Sequence, residues 1–296
     1  MLIGFAGLGR MGRPMAAHLA AAGHTVYAYD PMVEWAPESV TLVDTPEALA
    51  ATEISISMLP DGAATRALVT DGLVGAAPGH LHIIMGTVGP GIVRELATLS
   101  RIEIVDAPVS GSVSMAEAAT ITTMVGATAH QFERVRPVLA AMSAAQFHAG
   151  PVGAGSTAKL AVNSVLAGLS QAVAEGILLA EAGGLDPEIF YGILANSAAG
   201  APYVGYKKQA YLAPEATPVA APVSLIRKDL GLALDLGHRH RLSMPGSEAA
   251  FAVLGDAVDA GLADADMAEV LTALRARTAP ASAELPSPVL QTGALS

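Results

Sequence analysis

The 296-residue chain contains no cysteine, which excludes disulfides, thiolate metal sites and cysteine nucleophiles. Aromatic residues make up only 4% of the chain and charged residues only 15%, whereas hydrophobic residues reach 52%. A large apolar core is therefore easily filled, and general disorder is not expected. Positive charge is also scarce, because 16 Lys and Arg stand against 27 Asp and Glu. The net charge of −11 disfavours a nucleic-acid partner.

The N-terminus lacks the basic and apolar regions of a secretory signal, so we expect a cytoplasmic protein. The longest apolar stretch, residues 160–182, is interrupted by Asn163, Gln171 and Glu175. We interpret it as a buried helix and expect no membrane partner. The length of the chain suits about two domains of roughly 150 residues each.

The chain opens with a strand, a glycine-rich turn and a helix. Residues 1–6 are an apolar run of strand length, and residues 13–22 are rich in helix formers. Between them, Gly7, Gly9 and Gly12 set out the pattern G-x-G-x-x-G. In this pattern the first glycine permits a tight turn, the second admits a pyrophosphate to the backbone, and the third lets helix and strand pack closely. The sequence therefore predicts a dinucleotide at the helix N-terminus.

An acidic residue stands at the position that this turn requires. Asp30 ends a second strand over residues 25–29, about 20 residues beyond the glycines, where a carboxylate can bind the adenosine ribose. Its charge would repel a 2′-phosphate, so we expect NAD to be preferred over NADP. The alternative is a glycine turn without function, since a chain with 30 Gly produces some matches by chance.

Strands alternate with helices up to residue 152, which predicts an α/β domain with a doubly wound, mostly parallel sheet of the Rossmann type. Further strands are expected near residues 39–43, 54–58, 82–85, 102–105, 120–125 and 146–148, and helices near 46–51, 63–70, 91–100 and 130–142. Ligands of such sheets lie at the carboxyl ends of the strands. The loops at 7–12, 58–62, 86–88 and 110–112 all fall there.

The pattern changes after this domain. From Ser156 about 27 residues favour a helix, which at 1.5 Å per residue extends for about 40 Å and is too long for one small domain. It predicts the spine of an all-helical second domain over residues 153–278, followed by a loosely ordered tail over 279–296. Further helices are expected near 186–195, 203–211, 224–238, 246–259 and 268–277.

The long helix also predicts self-association. It carries apolar residues on several faces, more than one small domain is expected to cover. They include Leu166, Leu169, Val173, Ile177 and Leu178. We therefore expect a homodimer or homotetramer that forms through the helical domain.

Four stretches carry further motifs in a fixed order. They are Gly4-Phe-Ala-Gly-Leu-Gly-Arg-Met-Gly-Arg-Pro-Met-Ala16, Asp106-Ala-Pro-Val-Ser-Gly111, Gly153-Ala-Gly-Ser-Thr-Ala-Lys159-Leu-Ala-Val-Asn163 and Lys228-Asp-Leu-Gly-Leu-Ala233. Together they resemble the β-hydroxyacid dehydrogenase family, which includes 3-hydroxyisobutyrate dehydrogenase, tartronate semialdehyde reductase and glyoxylate/succinic semialdehyde reductases. The resemblance covers residues 4 to about 275.

The resemblance implies that Lys159 is the catalytic acid/base and that Asn163 is a substrate ligand. Positions four apart lie on one helix face, so the spacing agrees. The turn of Ser110, Gly111 and Ser112 is implied to hold the substrate carboxylate. Contacts with the cofactor are expected at Gly7, Leu8, Gly9, Arg10, Met11, Gly12, Asp30, Met58, Leu59, Pro60, Thr87 and Lys228.

Three positions depart from the family pattern. Ser112 replaces the usual second glycine of the turn, Ala119 stands where a glycine usually precedes Thr120, and Ser164 replaces a second Asn. These departures bear on the choice of substrate and leave the expected hydride chemistry in place.

Several of these residues would also fit a purely structural role. Asn163 would equally bridge two helices, and Lys228 would form a surface pair with Asp229. Lys159 taken alone would be a solvated lysine near a helix start. We interpret two histidine pairs, His80 with His82 and His238 with His240, as solvated turn or helix-end residues, and we expect no metal.

The sequence thus predicts an NAD-dependent oxidoreductase that interconverts a small β-hydroxy carboxylate and its aldehyde or ketone. One alternative is a reductase of another small carbonyl or imine on the same scaffold, similar to the imine reductases. The other is a dinucleotide-binding protein without catalytic activity.

Overall fold

The computed structural model describes residues 1–277. The predicted tail over residues 279–296 lies outside the described residues, as does residue 278 at the end of the predicted second domain. Within the described part, an α/β sheet comes first and a set of helices follows, which confirms the predicted fold class.

The sheet is doubly wound. Its strands are β1 (Leu2–Ala6), β2 (Thr25–Tyr29), β3 (Val40–Leu42), β4 (Ile54–Ser57), β5 (Leu81–Ile84), β6 (Glu103–Asp106), β7 (Val109–Ser110), β8 (Ile121–Gly126) and β9 (Ser143–Gly150). They lie in the order β3-β2-β1-β4-β5-β6-β8-β7, and β9 pairs with β8. Strands β1 to β6 are parallel, whereas β8 is antiparallel to β6 and β7. The strand order reverses at β1, so a crevice opens at the carboxyl ends of β1 and β4.

Helices of the same domain are α1 (Gly12–Ala21), α2 (Gly62–Ala67), α3 (Pro90–Leu99), α4 (Val113–Glu117) and α5 (Ala129–Ala140). Successive strand residues point to opposite faces, so the sheet buries side chains on both sides. Ile83 belongs to one buried cluster and Ile84 to another. The sequence does not predict β7 or α4, because two and five residues are too few to show a period.

The helical domain begins with α6 (Ala154–Ala182), a helix of 29 residues. It continues with α7 (Pro187–Ala195), α8 (Pro202–Leu212), α9 (Val223–Arg239), α10 (Pro245–Asp259) and α11 (Val270–Arg277). By length and composition alone α6 would suffice to cross a membrane. Here it packs against α9, α10 and α11, and its buried Leu160, Val173 and Ile177 belong to the core of this domain.

A buried carboxylate joins the two domains. Asp106, at the end of β6, accepts the Gly153 N–H over 2.7 Å and the Ser156 N–H over 2.5 Å, and so caps the start of α6. Burial raises the pKa of Asp106, and these hydrogen bonds oppose that rise. The approach is close, since a Cβ on Gly155 would lie 2.1 Å from the Met124 carbonyl oxygen. The start of α6 is therefore fixed against the end of the sheet.

The first histidine pair contradicts its prediction. The sequence predicts solvated histidines, but His80 is 4% exposed and His82 is fully buried. Ser55 Oγ lies 2.7 Å from both His80 Nε2 and His82 Nδ1, and Ser57 Oγ lies 3.0 Å from His82 Nε2. Burial lowers the pKa of His82 to about 3. The prediction is wrong because the serines and histidines are far apart in sequence. Only the parallel pairing of β4 with β5 brings them together.

Candidate active site

A cavity of about 1310 Å³ lies where the carboxyl ends of the strands meet the helical domain. Its volume exceeds the roughly 300–1,000 Å³ of a typical small-molecule site, as a dinucleotide and a substrate together require. Of the predicted site residues, these line it: Gly7, Gly9, Arg10, Met11, Gly12, Asp30, Met58, Leu59, Pro60, Thr87, Ser110, Gly111, Ser112, Lys159, Asn163 and Lys228. Leu8 is the exception, because its side chain is buried in the core.

The glycine-rich loop fits a pyrophosphate. Gly7 has a φ of +94°, and a Cβ there would lie 2.4 Å from the Met58 carbonyl oxygen. A Cβ on Gly12 would lie 1.9 Å from the Gly7 carbonyl oxygen, so neither position accepts a side chain. A Cβ on Gly9 would meet no atom within 4 Å, because Gly9 borders the cavity. The loop therefore leaves room for a ligand at the start of α1, where backbone N–H groups favour an anion.

Backbone amides hold Asp30 at the end of β2. The Leu8 N–H donates to Oδ2 over 2.7 Å, and the Met32 N–H donates to Oδ1 over 2.9 Å. Each carboxylate oxygen keeps a lone pair for a further donor, such as a ribose hydroxyl. The backbone of Leu8 thus takes part in the site although its side chain does not.

Lys228 reaches from α9 to the first domain. Its Nζ donates to the carbonyl oxygens of Pro60 over 2.9 Å and Thr87 over 3.0 Å. The same Nζ lies 3.1 Å from Oδ1 of Asp229, which is 3% exposed. The predicted pair with Asp229 is therefore present, but Lys228 also ties the loops of Pro60 and Thr87 to the helical domain.

Lys159 and Asn163 lie one turn apart on α6 and face the cavity. Burial lowers the pKa of Lys159, the charge of Asp229 opposes this, and the charge of Lys228 adds to the lowering. Asn163 Nδ2 donates to Asp229 Oδ2 over 2.7 Å, so Asn163 does bridge two helices while it also lines the cavity. Burial raises the pKa of Asp229, and both lysines oppose that rise.

The turn of Ser110 to Ser112 lines the cavity just before α4. Gly111 has a φ of +148°, and a Cβ there would lie 2.9 Å from Cγ2 of Ile121, so this position requires glycine. Ser112 Oγ accepts the Met115 N–H over 3.3 Å and lies 2.7 Å from Ser114 Oγ. The hydroxyl that departs from the family pattern therefore caps α4.

The second departure carries backbone strain. Ala119 has a φ of +54°, in the left-handed region that favours glycine. It follows α4, and its N–H donates to the Ala116 carbonyl oxygen over 3.2 Å. The alanine occupies a conformation that suits a glycine better, and a glycine is the residue that the family pattern has at this position.

Two family models cover nearly all of the described chain. The NAD binding domain of 6-phosphogluconate dehydrogenase matches residues 2–150, and the NAD-binding domain of NADP-dependent 3-hydroxyisobutyrate dehydrogenase matches residues 153–274. The chain belongs to the β-hydroxyacid dehydrogenase family. It is thus an oxidoreductase that uses NAD, and the resemblance of its four motifs is confirmed.

Relatives of this dehydrogenase act on several hydroxy acids. It is 36% identical to 3-hydroxyisobutyrate dehydrogenase of Pseudomonas aeruginosa, over 82% of this chain and 87% of the relative. It is 32% identical to 2-(hydroxymethyl)glutarate dehydrogenase of Eubacterium barkeri, over 91% of this chain and 93% of the relative. Among solved structures it is similar to Mycobacterium tuberculosis 3-hydroxyisobutyrate dehydrogenase with L-serine, with a TM-score of 0.83, 34% identity and coverage of 93% and 99%.

The sequence suggested no role for Asp229 of this dehydrogenase beyond a surface pair with Lys228. A signal existed, because Ile226 and Leu230 lie on the buried face of α9 and a carboxylate between them at helical spacing requires a partner. The contact of Arg10 with the Val219 carbonyl oxygen was also missed, and no sequence signal shows it. It joins the glycine-rich loop to the segment before α9.

The second histidine pair follows its prediction. His238 and His240 are exposed at the end of α9. Within residues 1–277, no group of three or more His, Asp or Glu side chains is arranged to hold a metal ion.

Proposed function

We propose that the dehydrogenase interconverts a small β-hydroxy carboxylate, similar to 3-hydroxyisobutyrate, and its aldehyde or ketone, with Lys159 as the general acid/base. The observation that carries this proposal is the placement of Lys159. Its amine lies at the cavity, one turn before Asn163, and burial lowers its pKa. A lysine in this setting can exchange a proton with a substrate oxygen near neutral pH more readily than a solvated one.

Bound nicotinamide supplies the hydride acceptor or donor. The residues of the chain supply orientation and proton transfer. In oxidation, the neutral Lys159 Nζ would take the hydroxyl proton as the carbon that bears this hydroxyl gives its hydride to the nicotinamide, so that the C–O bond becomes C=O. In reduction, the protonated Nζ returns that proton to the oxygen.

The substrate carboxylate is assigned to the turn of Ser110, Gly111 and Ser112. All three residues line the cavity, and backbone N–H groups and a serine hydroxyl are donors that a carboxylate accepts. Asn163 keeps donor and acceptor capacity beyond its bond to Asp229, since an amide has two N–H groups and one carbonyl. The compounds named with the relatives, 3-hydroxyisobutyrate, 2-(hydroxymethyl)glutarate and L-serine, support this class, because each carries a hydroxyl on the carbon β to a carboxylate.

A reductase of imines is the second candidate. The imine reductases usually have another residue where this chain has Lys159, so the retained lysine favours hydroxy acids. A carbonyl or imine substrate without a carboxylate would also leave the Ser110–Ser112 turn without a role.

The test is a panel of small β-hydroxy acids, with NAD and then NADP, followed through the absorbance of the reduced nicotinamide. Turnover of 3-hydroxyisobutyrate or a close analogue by the wild type, and its loss in Lys159→Ala, supports the proposal. Cyclic imines with the reduced cofactor form the second arm. Cofactor binding without turnover of any acid, or turnover of imines alone, contradicts it.

A further inference from the structure

One end of the cavity extends beyond Lys159 into the helical domain. There it is bounded by the start of α8, the start of α9 and residues 220–222 just before α9. Most of the side chains that form this wall are apolar or aromatic, and they include Val162, Leu166, Tyr203, Tyr206, Leu225 and Met267; Lys207 is the charged member.

This wall is continuous with the catalytic residues along α6. Lys159, Val162, Asn163 and Leu166 follow one another at spacings of three, one and three residues, which places them on a single helix face. The wall is therefore the neighbour, along α6, of a substrate held between Lys159 and the Ser110–Ser112 turn.

The cation in this wall is neutralised. Lys207 is 2% exposed, and its Nζ donates to both carboxylate oxygens of Asp266, over 2.5 and 2.7 Å. Asp266 also accepts the N–H groups of Ala220 and Ala268. The pair carries no net charge, so it offers little attraction to a second carboxylate or a phosphate.

The aromatic residues of the wall differ in how much they expose. Tyr203 is buried, and its hydroxyl lies 3.0 Å from that of Tyr211. Tyr206 stacks edge-on against Tyr203, with ring centroids 5.6 Å apart, and it remains 57% exposed. Val162 and Leu225 are 44% and 42% exposed. A ligand that covers these three exposed side chains removes apolar surface from water, which favours its binding.

We propose that this end of the cavity is a subsite for an uncharged, apolar or aromatic substituent of the substrate. The enzyme then prefers β-hydroxy monocarboxylates with a bulky substituent to the smallest member of the class and to dicarboxylates. This subsite belongs to the hydroxy-acid site proposed above and rests on that function.

The test compares 3-hydroxypropionates that carry a methyl, isobutyl, benzyl or carboxymethyl group on the carbon next to the carboxylate. With the wild-type enzyme and NAD, kcat/KM should rise about fourfold for each buried methylene. We therefore expect at least a tenfold increase from methyl to isobutyl or benzyl, and a decrease for carboxymethyl. Leu225→Ala and Tyr206→Ala should each reduce the benzyl-to-methyl ratio at least threefold. Leu242→Ala is the matched control, because Leu242 is 57% exposed in the same domain but does not line the cavity.

The outcomes separate the subsite from the proposed function. The highest kcat/KM with the methyl compound, and a ratio that neither variant changes, overturns the subsite and leaves hydroxy-acid oxidation intact. If no acid is turned over, the proposed function fails, and calorimetry with the enzyme–NAD complex tests the subsite separately. Binding of 3-phenylpropionate at least tenfold tighter than propionate, weakened by Leu225→Ala, then supports it. Equal affinity for the two acids overturns it.

Discussion

Asn163 donates a hydrogen bond from Nδ2 to Oδ2 of Asp229 over 2.7 Å, and this bond joins α6 to α9 beside Lys159. The other oxygen of Asp229 lies 3.1 Å from Lys228 Nζ. One buried carboxylate thus contacts both the amide next to the proposed acid/base and the lysine that reaches the Pro60 and Thr87 carbonyl oxygens. Its negative charge opposes the effect of burial on the pKa of Lys159.

The first prediction concerns Lys159 itself. Lys159→Ala should lose on the order of 10²–10⁴ in kcat, the usual contribution of general acid–base catalysis. Lys159→Arg should be nearly as impaired, because a guanidinium does not deprotonate in the working range. Both variants should still bind NAD, which calorimetry measures, since the predicted dinucleotide contacts lie mainly in the first domain. More than about a tenth of wild-type kcat in Lys159→Ala would assign the proton to another group.

The role of Lys159 also predicts how the rates of oxidation and reduction change with pH. Burial lowers the pKa of Lys159, so the neutral amine forms at pH values below the usual lysine pKa of about 10.4. Oxidation by the wild type should therefore rise with pH to a plateau, with a midpoint below that value. The reduction rate should fall over the same interval, and a flat profile in both directions contradicts the assignment.

The second prediction concerns the choice of cofactor. Asp30 is fixed by the N–H groups of Leu8 and Met32, and it should favour a ribose diol over a 2′-phosphate. We expect a higher kcat/KM with NAD than with NADP, and a ratio that shifts towards NADP in Asp30→Asn, which removes only the charge. Steady-state kinetics with both cofactors measure the ratio. Equal wild-type values, or an unchanged ratio in the variant, would remove Asp30 from this role.

The third prediction concerns backbone strain at Ala119, whose φ is +54°. A left-handed conformation costs a residue with a Cβ roughly 1–2 kcal/mol, while a glycine adds roughly 0.4–1 kcal/mol of unfolded-state entropy. Ala119→Gly should therefore raise the free energy of unfolding by about 0.5–1 kcal/mol, measured by urea denaturation. Its matched control is Ala118→Gly, where φ is −88° and the same substitution should destabilise. Destabilisation in both variants would show that Ala119 is not strained.

The fourth prediction concerns acid stability. The pKa of His82 falls from 6.5 to about 3 because of burial, so the folded protein keeps this ring neutral. The unfolded chain binds a proton below about pH 6.5, and the free energy of unfolding therefore falls as pH drops towards 3. Between pH 7 and pH 5 this residue should account for about 2 kcal/mol of lost stability.

The measurement is the melting temperature as a function of pH. His82→Gln keeps hydrogen-bonding capacity towards Ser55 and Ser57 without a titrating ring, and it should flatten the acid branch. His240→Gln, at an exposed position, should leave that branch as steep as in the wild type. A steep branch in His82→Gln would mean that other groups cause the acid loss.

The fifth prediction concerns assembly, and the residues that first suggested it require correction. Val173 and Ile177 are buried, and Leu166, Leu169 and Leu178 pack partly buried against the same core. Those five side chains therefore do not form an exposed surface.

A different set of α6 side chains is exposed. Val165 and Leu179 are 70% and 77% exposed, and the exposed Ala172 lies midway between them. Spacings of seven residues keep all three on one helix face, which suits packing against a second copy. We expect a homodimer or homotetramer by light scattering, and dissociation on Val165→Glu combined with Leu179→Glu. Val74→Glu, at a 77% exposed position of the first domain, is the control. A monomeric wild type at micromolar concentration would contradict the prediction.

Most of the helices and strands follow from local patterns in the sequence. The predicted 91–100 helix is α3 (Pro90–Leu99), and the predicted strand near 54–58 is β4 (Ile54–Ser57). The two elements that escaped prediction, β7 and α4, are too short to show a period. Local patterns suffice for the longer elements because each repeats its apolar positions over several residues.

By itself the sequence determined the family, the strand–turn–helix around Gly7, Gly9 and Gly12, and the spacing of Lys159 and Asn163 on one helix face. Only the tertiary structure decided which groups surround them. Asp229 faces Asn163 across 66 positions of sequence, and Ser55 faces His82 across 27. Helix periodicity acts between neighbours three or four positions apart, whereas these partners meet through helix packing and strand pairing. The pKa values of Lys159 and His82 therefore belong to the folded protein, because burial and distant charges set them.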